Sequence, residues 1–111
     1  MQQVLFHESL NDALREVVQT LGGTKKVGVL MRPEKSADEA ARWISDCLNH
    51  DRREKFDPEQ VLWLLREGRR VGCHSGMHFL CSASGYSAAQ PIEPKDELAE
   101  LQRNFIEASK H

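Results

Sequence analysis

The sequence predicts an all-α fold: a compact bundle of about five short helices that includes a helix-turn-helix, plus an amphipathic helix at the C-terminus. Apolar residues recur three and four positions apart along most of the chain, which is the period of one helix face. Start signals precede these stretches, and glycine or proline follows them. Aromatic residues make up only 6% of the 111 residues, so a β-sandwich or barrel is disfavoured.

The first two predicted helices are separated by a pair of glycines. Ser9 can cap the first helix, and Gly22-Gly23 can end it because glycine adopts the left-handed conformation found at helix ends. Thr24 then begins a shorter helix, which must stop before Pro33 because a residue that precedes proline disfavours helical angles. The first helix has the strongest periodicity in the chain, and its apolar stripe consists of Leu10, Ala13, Leu14, Val17, Val18 and Leu21.

Two further helices open on capping signals. Ser36 and Glu39 have the spacing of a capping box, and the helix behind them can end at Asn49. After the charged loop "HDRREKF", Asp57-Pro58 combines a capping carboxylate with a proline at the first helical position. The residues predicted to face inward are Ala40, Ile44, Cys47 and Leu48 in the third helix and Val61, Leu64 and Leu65 in the fourth.

A fifth helix and a C-terminal helix complete the prediction. Gly72 precedes "CHSGMHFLCSAS", which we expect to be helical and to stop near Gly85. The predicted organisation is a helical domain over residues 1–85, a linker over 86–94 ("YSAAQPIEP") and a helix within 95–111. The apolar face of the last helix needs a partner, which is either the same domain or a second copy of the chain. That face consists of Leu98, Leu101, Phe105 and Ile106.

The charge is unevenly distributed. The formal net charge is −2, which gives no support for a nucleic acid partner. Between Gly22 and Gly72, however, there are eleven Lys/Arg against nine Asp/Glu, while both flanks are net acidic. The mildly basic middle is therefore the part that could meet a polyanion.

Cysteine content and the N-terminal sequence bear on the compartment. The chain has three cysteines, an odd number, and "MQQVLFHESLNDA" lacks the basic region and long apolar stretch of a secretion signal. We therefore expect reduced thiols and a cytoplasmic protein. No apolar run approaches the roughly 20 residues that a transmembrane helix needs, so no membrane partner is expected.

The order of the helices points to a class of DNA-binding proteins. Short helices joined by tight turns are typical of helix-turn-helix domains. The stretch "ARWISDCLNHDRREKFDPEQVLWLLREGRRVGCHSGMHFL" resembles the core of phage regulatory proteins of the CII type, with a helix ending in Leu-Asn, a polar loop and a capped helix. The resemblance extends over about residues 10–80 and also holds for the wider group of phage-repressor-like helix-turn-helix domains.

This resemblance implies a small regulator of lysogeny that binds double-stranded DNA as a homodimer, since two-fold symmetry matches palindromic sites. The apolar face of the C-terminal helix would then be the dimer contact. Two departures from the pattern stand out. Gly28 occupies the position of an alanine in the usual turn, and Arg32 occupies that of a glycine. The segment from Gly28 to Leu48 is also about two helical turns longer than usual, so the turn could be a loop.

The candidate DNA contacts lie around the second and third helices. Ser36 and Arg42 are the candidates for base contacts. The remaining cations are candidates for phosphate contacts, which supply most of the affinity of such proteins. Asp38 and Glu39 suit the helix dipole but repel phosphates. The full candidate set is Lys25, Lys26, Arg32, Lys35, Ser36, Arg42, Arg52 and Arg53.

The same charges allow a second interpretation. They could be ordinary solvated side chains, interspersed with Asp and Glu for solubility. The chain would then be a helical protein-interaction or accessory module without DNA binding. The net negative charge and the acidic start at Asp38 and Glu39 favour this alternative.

A cluster of cysteines and histidines raises the question of a metal. On a helix, His74, His78 and Cys81 fall on one face and could hold zinc. The favoured interpretation is that Cys73, Met77, Leu80 and Cys81 form an ordinary core stripe. We therefore predict no metal and no cofactor. No phosphate-binding glycine loop or metalloprotease motif is present, so neither an enzyme nor a small-molecule substrate is indicated.

Overall fold

Five α-helices make up the part of the chain that the structure, a computed structural model, describes: residues 9–92. This part contains no strand, and the predicted all-α fold is confirmed. The predicted C-terminal helix and its apolar face lie outside the described residues. The helices are α1 (Leu10–Thr20), α2 (Thr24–Met31), α3 (Ala37–Leu48), α4 (Pro58–Arg70) and α5 (Ser75–Ser84).

Side-chain caps fix the starts of three helices, as the sequence predicted. Ser9, Ser36 and Asp57 each accept a hydrogen bond from the backbone N–H three residues further on. The side chains of Glu39 and Gln60 return a bond to the backbone of the capping residue, which completes two capping boxes. Each cap contributes about 1 kcal/mol. The boundaries of α3 and α4 therefore follow from local chemistry.

The central helix is α1, which packs against all four others within the described part. The middle of its predicted stripe is fully buried, while Leu10 and Leu21 at the two ends are only partly covered. Full burial of an aliphatic side chain contributes about 1.5–3 kcal/mol, so this core dominates stability. The buried cluster consists of Leu14, Val17, Val18, Val27, Ile44, Leu48, Leu64 and Cys73.

The most extensive contact between two of the described helices joins α2 to α3. Gly28 is buried between them, and a Cβ atom at this position would lie 2.7 Å from the carbonyl carbon of Ala40 and 2.9 Å from its Cβ. The two backbones approach each other because neither residue carries a large side chain. The glycine in place of the usual alanine therefore has a structural reason. Residues 32–36 make the connection.

The predicted stripe on α5 is only partly correct. Cys73 and Cys81 are buried, but Met77 is 40% exposed. The reason is the orientation of α5: Gly76 faces inward, where a Cβ would lie 2.7 Å from Leu65 and 3.4 Å from Leu14. Consecutive helical residues point about 100° apart, so Met77 turns away from α1. The helix also starts at Ser75, two residues later than predicted.

The length and polarity of the helices decide whether any of them could cross a membrane. None of the helices within residues 9–92 has both the length and the apolar character needed to cross a bilayer.

Candidate nucleic acid interface

All eight predicted DNA contacts fall on one part of the fold, which we call the α2–α3 face. It comprises the exposed residues of α2, the connection 32–36, the exposed side of α3 and the loop 49–57. On α3, Asp38, Glu39, Arg42 and Ser45 are exposed, while Ala40 and Ile44 are buried on the opposite side. The outer side of α3 is therefore open to a partner.

The first pair of opposite charges on this face joins the two helices. The Nζ atom of Lys25 lies 3.2 Å from a carboxylate oxygen of Asp38, and both side chains are exposed. An exposed ion pair of this kind contributes about 0–1 kcal/mol, so it can be exchanged for another partner at little cost. Lys25, a predicted phosphate contact, is thus already paired with a carboxylate of its own chain.

Arg32, a predicted phosphate contact, packs against an aromatic ring and pairs with a carboxylate. Its Nε donates to Glu34 at 2.6 Å, and its guanidinium lies 4.8 Å from the centre of the Trp43 ring. Trp43 in turn meets Phe56 edge to face, with ring centroids 5.5 Å apart. This stack ties the connection 32–36 to α3 and to the end of the loop 49–57. Arg32 therefore contributes to the structure of the turn as well as to its charge.

Ser36 is engaged by its own helix. Its hydroxyl accepts from the Glu39 backbone N–H at 3.2 Å and lies 3.1 Å from the Glu39 carboxylate. The backbone hydrogen bond from Ser36, followed by the bond from its side chain, lowers the pKa of Glu39. The backbone N–H of Glu34 itself, followed by the side chain of Arg32, likewise lowers the pKa of Glu34. Both carboxylates are thus ionised at neutral pH, and Ser36 has its hydroxyl in use.

The loop 49–57 holds its cations in two ways. Arg52 lies 3.7 Å from Asp46 of α3. Lys55 donates to the carbonyl of Arg52 at 2.6 Å and to that of Asn49 at 3.3 Å. These bonds hold the loop against the end of α3 and keep its charges near the α2–α3 face.

Four of the predicted cations form no ion pair with a described carboxylate. Within residues 9–92, no carboxylate lies within 4.0 Å of the charged groups of Lys26, Lys35, Arg42 or Arg53. Lys35 and Arg42 border a shallow hollow on α3 that Trp43 also lines. The sequence predicted all eight residues as candidate contacts but did not separate these four from the paired ones. Their distances from acidic partners depend on tertiary packing.

The Cys/His cluster does not assemble as a metal site. In the described part of the chain, no three His, Cys, Asp or Glu side chains come together in a group that could hold a metal ion. His74 and His78 are neighbours, with ring centroids 6.1 Å apart, while Cys81 is buried. The zinc interpretation therefore receives no support from these residues.

Comparison with known proteins yields no relative. No family model, curated protein or solved structure matches this chain.

Proposed function

We propose that this protein is a cytoplasmic, sequence-specific DNA-binding regulator that uses α2 and α3 as a helix-turn-helix. The observation that carries the proposal is the Gly28–Ala40 contact, which holds α2 and α3 together while the outer side of α3 remains exposed. A supporting helix packed closely on a projecting helix is the arrangement that enters the major groove of DNA. The resemblance to CII-type phage regulators points in the same direction.

The charges on the face support contact with a polyanion. Arg42 lies on the exposed side of α3, and Lys35 lies just before that helix. Arg is the side chain that most often reads guanine in the major groove. Lys26 and Arg53 flank α3 on α2 and on the following loop, where phosphate contacts of such proteins usually lie. We assign Arg42 to base contact and the other three to phosphates.

Three ion pairs on the face are compatible with this role. They are Lys25–Asp38, Arg32–Glu34 and Arg52–Asp46, and each is at least partly exposed and therefore weak. A phosphate can replace any of these carboxylates, and the release of counterions from DNA favours the exchange. The cost of displacing the carboxylates lowers the affinity. Because each phosphate contact releases counterions from DNA, we also expect the affinity to fall as the salt concentration rises.

The test is selection of binding sites from a pool of random-sequence duplexes, followed by retardation assays with a selected and an unrelated duplex. Arg42→Ala should weaken binding to the selected duplex by about 1–3 kcal/mol, because a base contact is lost. Lys26→Ala should weaken binding to both duplexes alike and reduce the slope of affinity against salt by about 1, because a phosphate contact is lost.

Arg70→Ala provides the matched control. Arg70 is an exposed arginine at the end of α4, outside the α2–α3 face, and it pairs with Glu67. Its removal should leave both affinities unchanged. Absence of any duplex binding at low salt and protein concentrations of about 10–100 µM, the range of non-specific affinities, would rule out the proposal.

A helical protein-interaction module is the second candidate, and one observation favours it. Val29 and Leu30 on α2 are 44% and 58% exposed, so this face also offers apolar area to a protein partner. Asp38→Asn separates the two candidates. Removing its charge should strengthen DNA binding by freeing Lys25, whereas an interaction module would gain no affinity for DNA.

The predicted homodimer stays a prediction. The residues assigned to its contact, Leu98, Leu101, Phe105 and Ile106, all lie outside residues 9–92.

A further inference from the structure

A second open feature lies between α4 and α5, which are not part of the α2–α3 face. Helices α4 and α5, together with residues 89–92, enclose a cavity of about 280 Å³, which we call the α4–α5 groove. Its walls are mostly apolar and include Leu62, Leu65, Met77 and Ile92. Pockets of this size can hold a few large side chains of a partner.

The side chains of the groove are unusually exposed for their type. Leu62, Met77 and Ile92 are 43%, 40% and 47% exposed, and all three line the same hollow. A single exposed leucine needs no explanation, but several that line one concave surface mark a binding site. An apolar partner is therefore needed to cover the groove.

The path of the chain indicates where that partner comes from. Residues 89–92 form one wall of the groove, so the chain is already in the groove when it reaches residue 93. The guanidinium of Arg69 donates to the carbonyl of Ile92 at 3.1 Å, which fixes the exit point beside α4. Nineteen residues follow, from 93 to 111. They need no long connection to reach the groove of their own domain.

The sequence of this segment matches the groove in pattern and length. Leu98, Leu101, Phe105 and Ile106 recur at helical spacing. At 1.5 Å per residue, the stretch from Leu98 to Ile106 would extend over about 12 Å in a helix, against about 10 Å along α4 from Leu62 to Arg69, the part that lines the groove. The apolar stripe is therefore similar in length to the groove.

The charges are complementary as well. Arg66, Arg69, His74 and His78 border the groove, so its rim is cationic or neutral. The segment 93–111 carries five Asp/Glu against three Lys/Arg, and four of the five acidic residues precede Leu101. An acidic amphipathic segment thus follows directly on a basic-rimmed apolar groove.

We propose that residues 93–111 dock into the α4–α5 groove of their own chain, with the Leu98–Ile106 stripe covering Leu62 and Met77. The groove is then an intramolecular binding site for the C-terminal segment. Coverage by the same segment of a second copy, or by an unrelated partner, is the competing outcome. The proposal is independent of DNA binding, because the groove and the α2–α3 face share no residue.

The test uses the full chain with p-benzoylphenylalanine, a photoreactive residue, in place of Met77. A mixture of ¹⁴N- and ¹⁵N-labelled protein is irradiated, and the cross-linked peptides are identified by mass spectrometry. We expect cross-links between position 77 and peptides from 93–111 that carry a single isotope label, hence from one chain. A second probe at Leu62 should give the same peptides, and one at Leu30, which is 58% exposed on α2, should give none of them.

Two outcomes overturn the proposal: cross-links to 93–111 that combine both isotope labels, which assign the segment to a second copy, and the absence of any cross-link to 93–111. A matched pair of variants checks the role of the stripe. Phe105→Asp should abolish the cross-link, while Glu107→Ala, two positions further on and off the apolar spacing, should leave it intact.

Discussion

The contact between α2 and α3 is closed, whereas the contact between α4 and α5 is open. Both contain a helical glycine that faces a neighbouring element. At Gly28 the neighbour is backbone, since the carbonyl carbon of Ala40 would lie 2.7 Å from a Cβ. At Gly76 the neighbour at the same distance is the end of the Leu65 side chain, which also lines the α4–α5 groove. The α2–α3 pair is therefore fixed, whereas the α4–α5 pair can adjust by a shift of the Leu65 side chain.

This difference suits the different tasks that we propose for the two regions. A rigid pair of helices holds its outer residues in a constant arrangement, which recognition of a regular polymer such as DNA requires. An open pair leaves apolar area that is stable only when something covers it. The charges follow the same division: ions dominate the α2–α3 face, and aliphatic side chains dominate the groove.

The largest expected difference in the free energy of unfolding is between the variants of two leucines that lie on different sides of α4. Leu64 is completely buried in the core, while Leu62 is 43% exposed at the groove. Leu64→Ala should lower the free energy of unfolding by about 2–5 kcal/mol, because it removes buried methyl groups and leaves a cavity. Leu62→Ala should cost about 1 kcal/mol, because Leu62 lies at the surface of the domain and has less apolar contact to lose than Leu64, even with the proposed docking of residues 93–111. Urea denaturation followed by circular dichroism measures both.

A result in which both variants lose the same stability would contradict the comparison. It would mean that the groove is as tightly closed in solution as the core. The two variants share residue type, helix and substitution, so each serves as the control for the other.

A smaller change in stability is expected when alanine replaces Gly28 or Gly76, which adds one methyl group. Gly28→Ala should destabilise the protein by about 1–3 kcal/mol, because the clash with Ala40 forces α2 and α3 apart. Gly76→Ala should be close to neutral, because Leu65 can move into the groove and alanine favours the helix by about 1 kcal/mol over glycine. Thermal unfolding measures the two changes, and equal losses would show that the α4–α5 contact is also rigid.

Local sequence signals predicted where the helices begin, but not how tightly each pair of helices packs. The caps at Ser9, Ser36 and Asp57 depend on neighbours three residues away, so the sequence alone identifies them. The inward turn of Gly76 and the exposure of Met77 depend on how α5 docks on α1, which no local pattern specifies.

For the candidate DNA-binding site, too, the sequence showed the residue types but not their contacts. Its cations were recognisable by type and by their proximity to α2 and α3. The pairing of Lys25 with Asp38 and the position of Arg32 over Trp43 arise from the packing of one helix on another. The sequence therefore showed which elements carry the candidate cations, but not which of these cations form ion pairs.

The smallest effect concerns Cys47, which lies fully buried on α3 beside the closed contact. Burial, with the negative charges of Glu54 and Asp46, raises the pKa of its thiol from 9.0 to about 11. Because the unfolded chain ionises this thiol more easily than the folded one, its ionisation leaves stability unchanged below pH 9 and lowers it between pH 9 and pH 11. At pH 10 the loss should be about 1 kcal/mol relative to pH 8.

Urea denaturation of the wild type and of Cys47→Val at the two pH values isolates this contribution, since other groups that titrate in this range affect both proteins equally. The variant should lose less stability than the wild type on going from pH 8 to pH 10. An identical loss would mean that the thiol is as accessible in the folded state as in the unfolded chain, and that the interior beside the α2–α3 contact admits water.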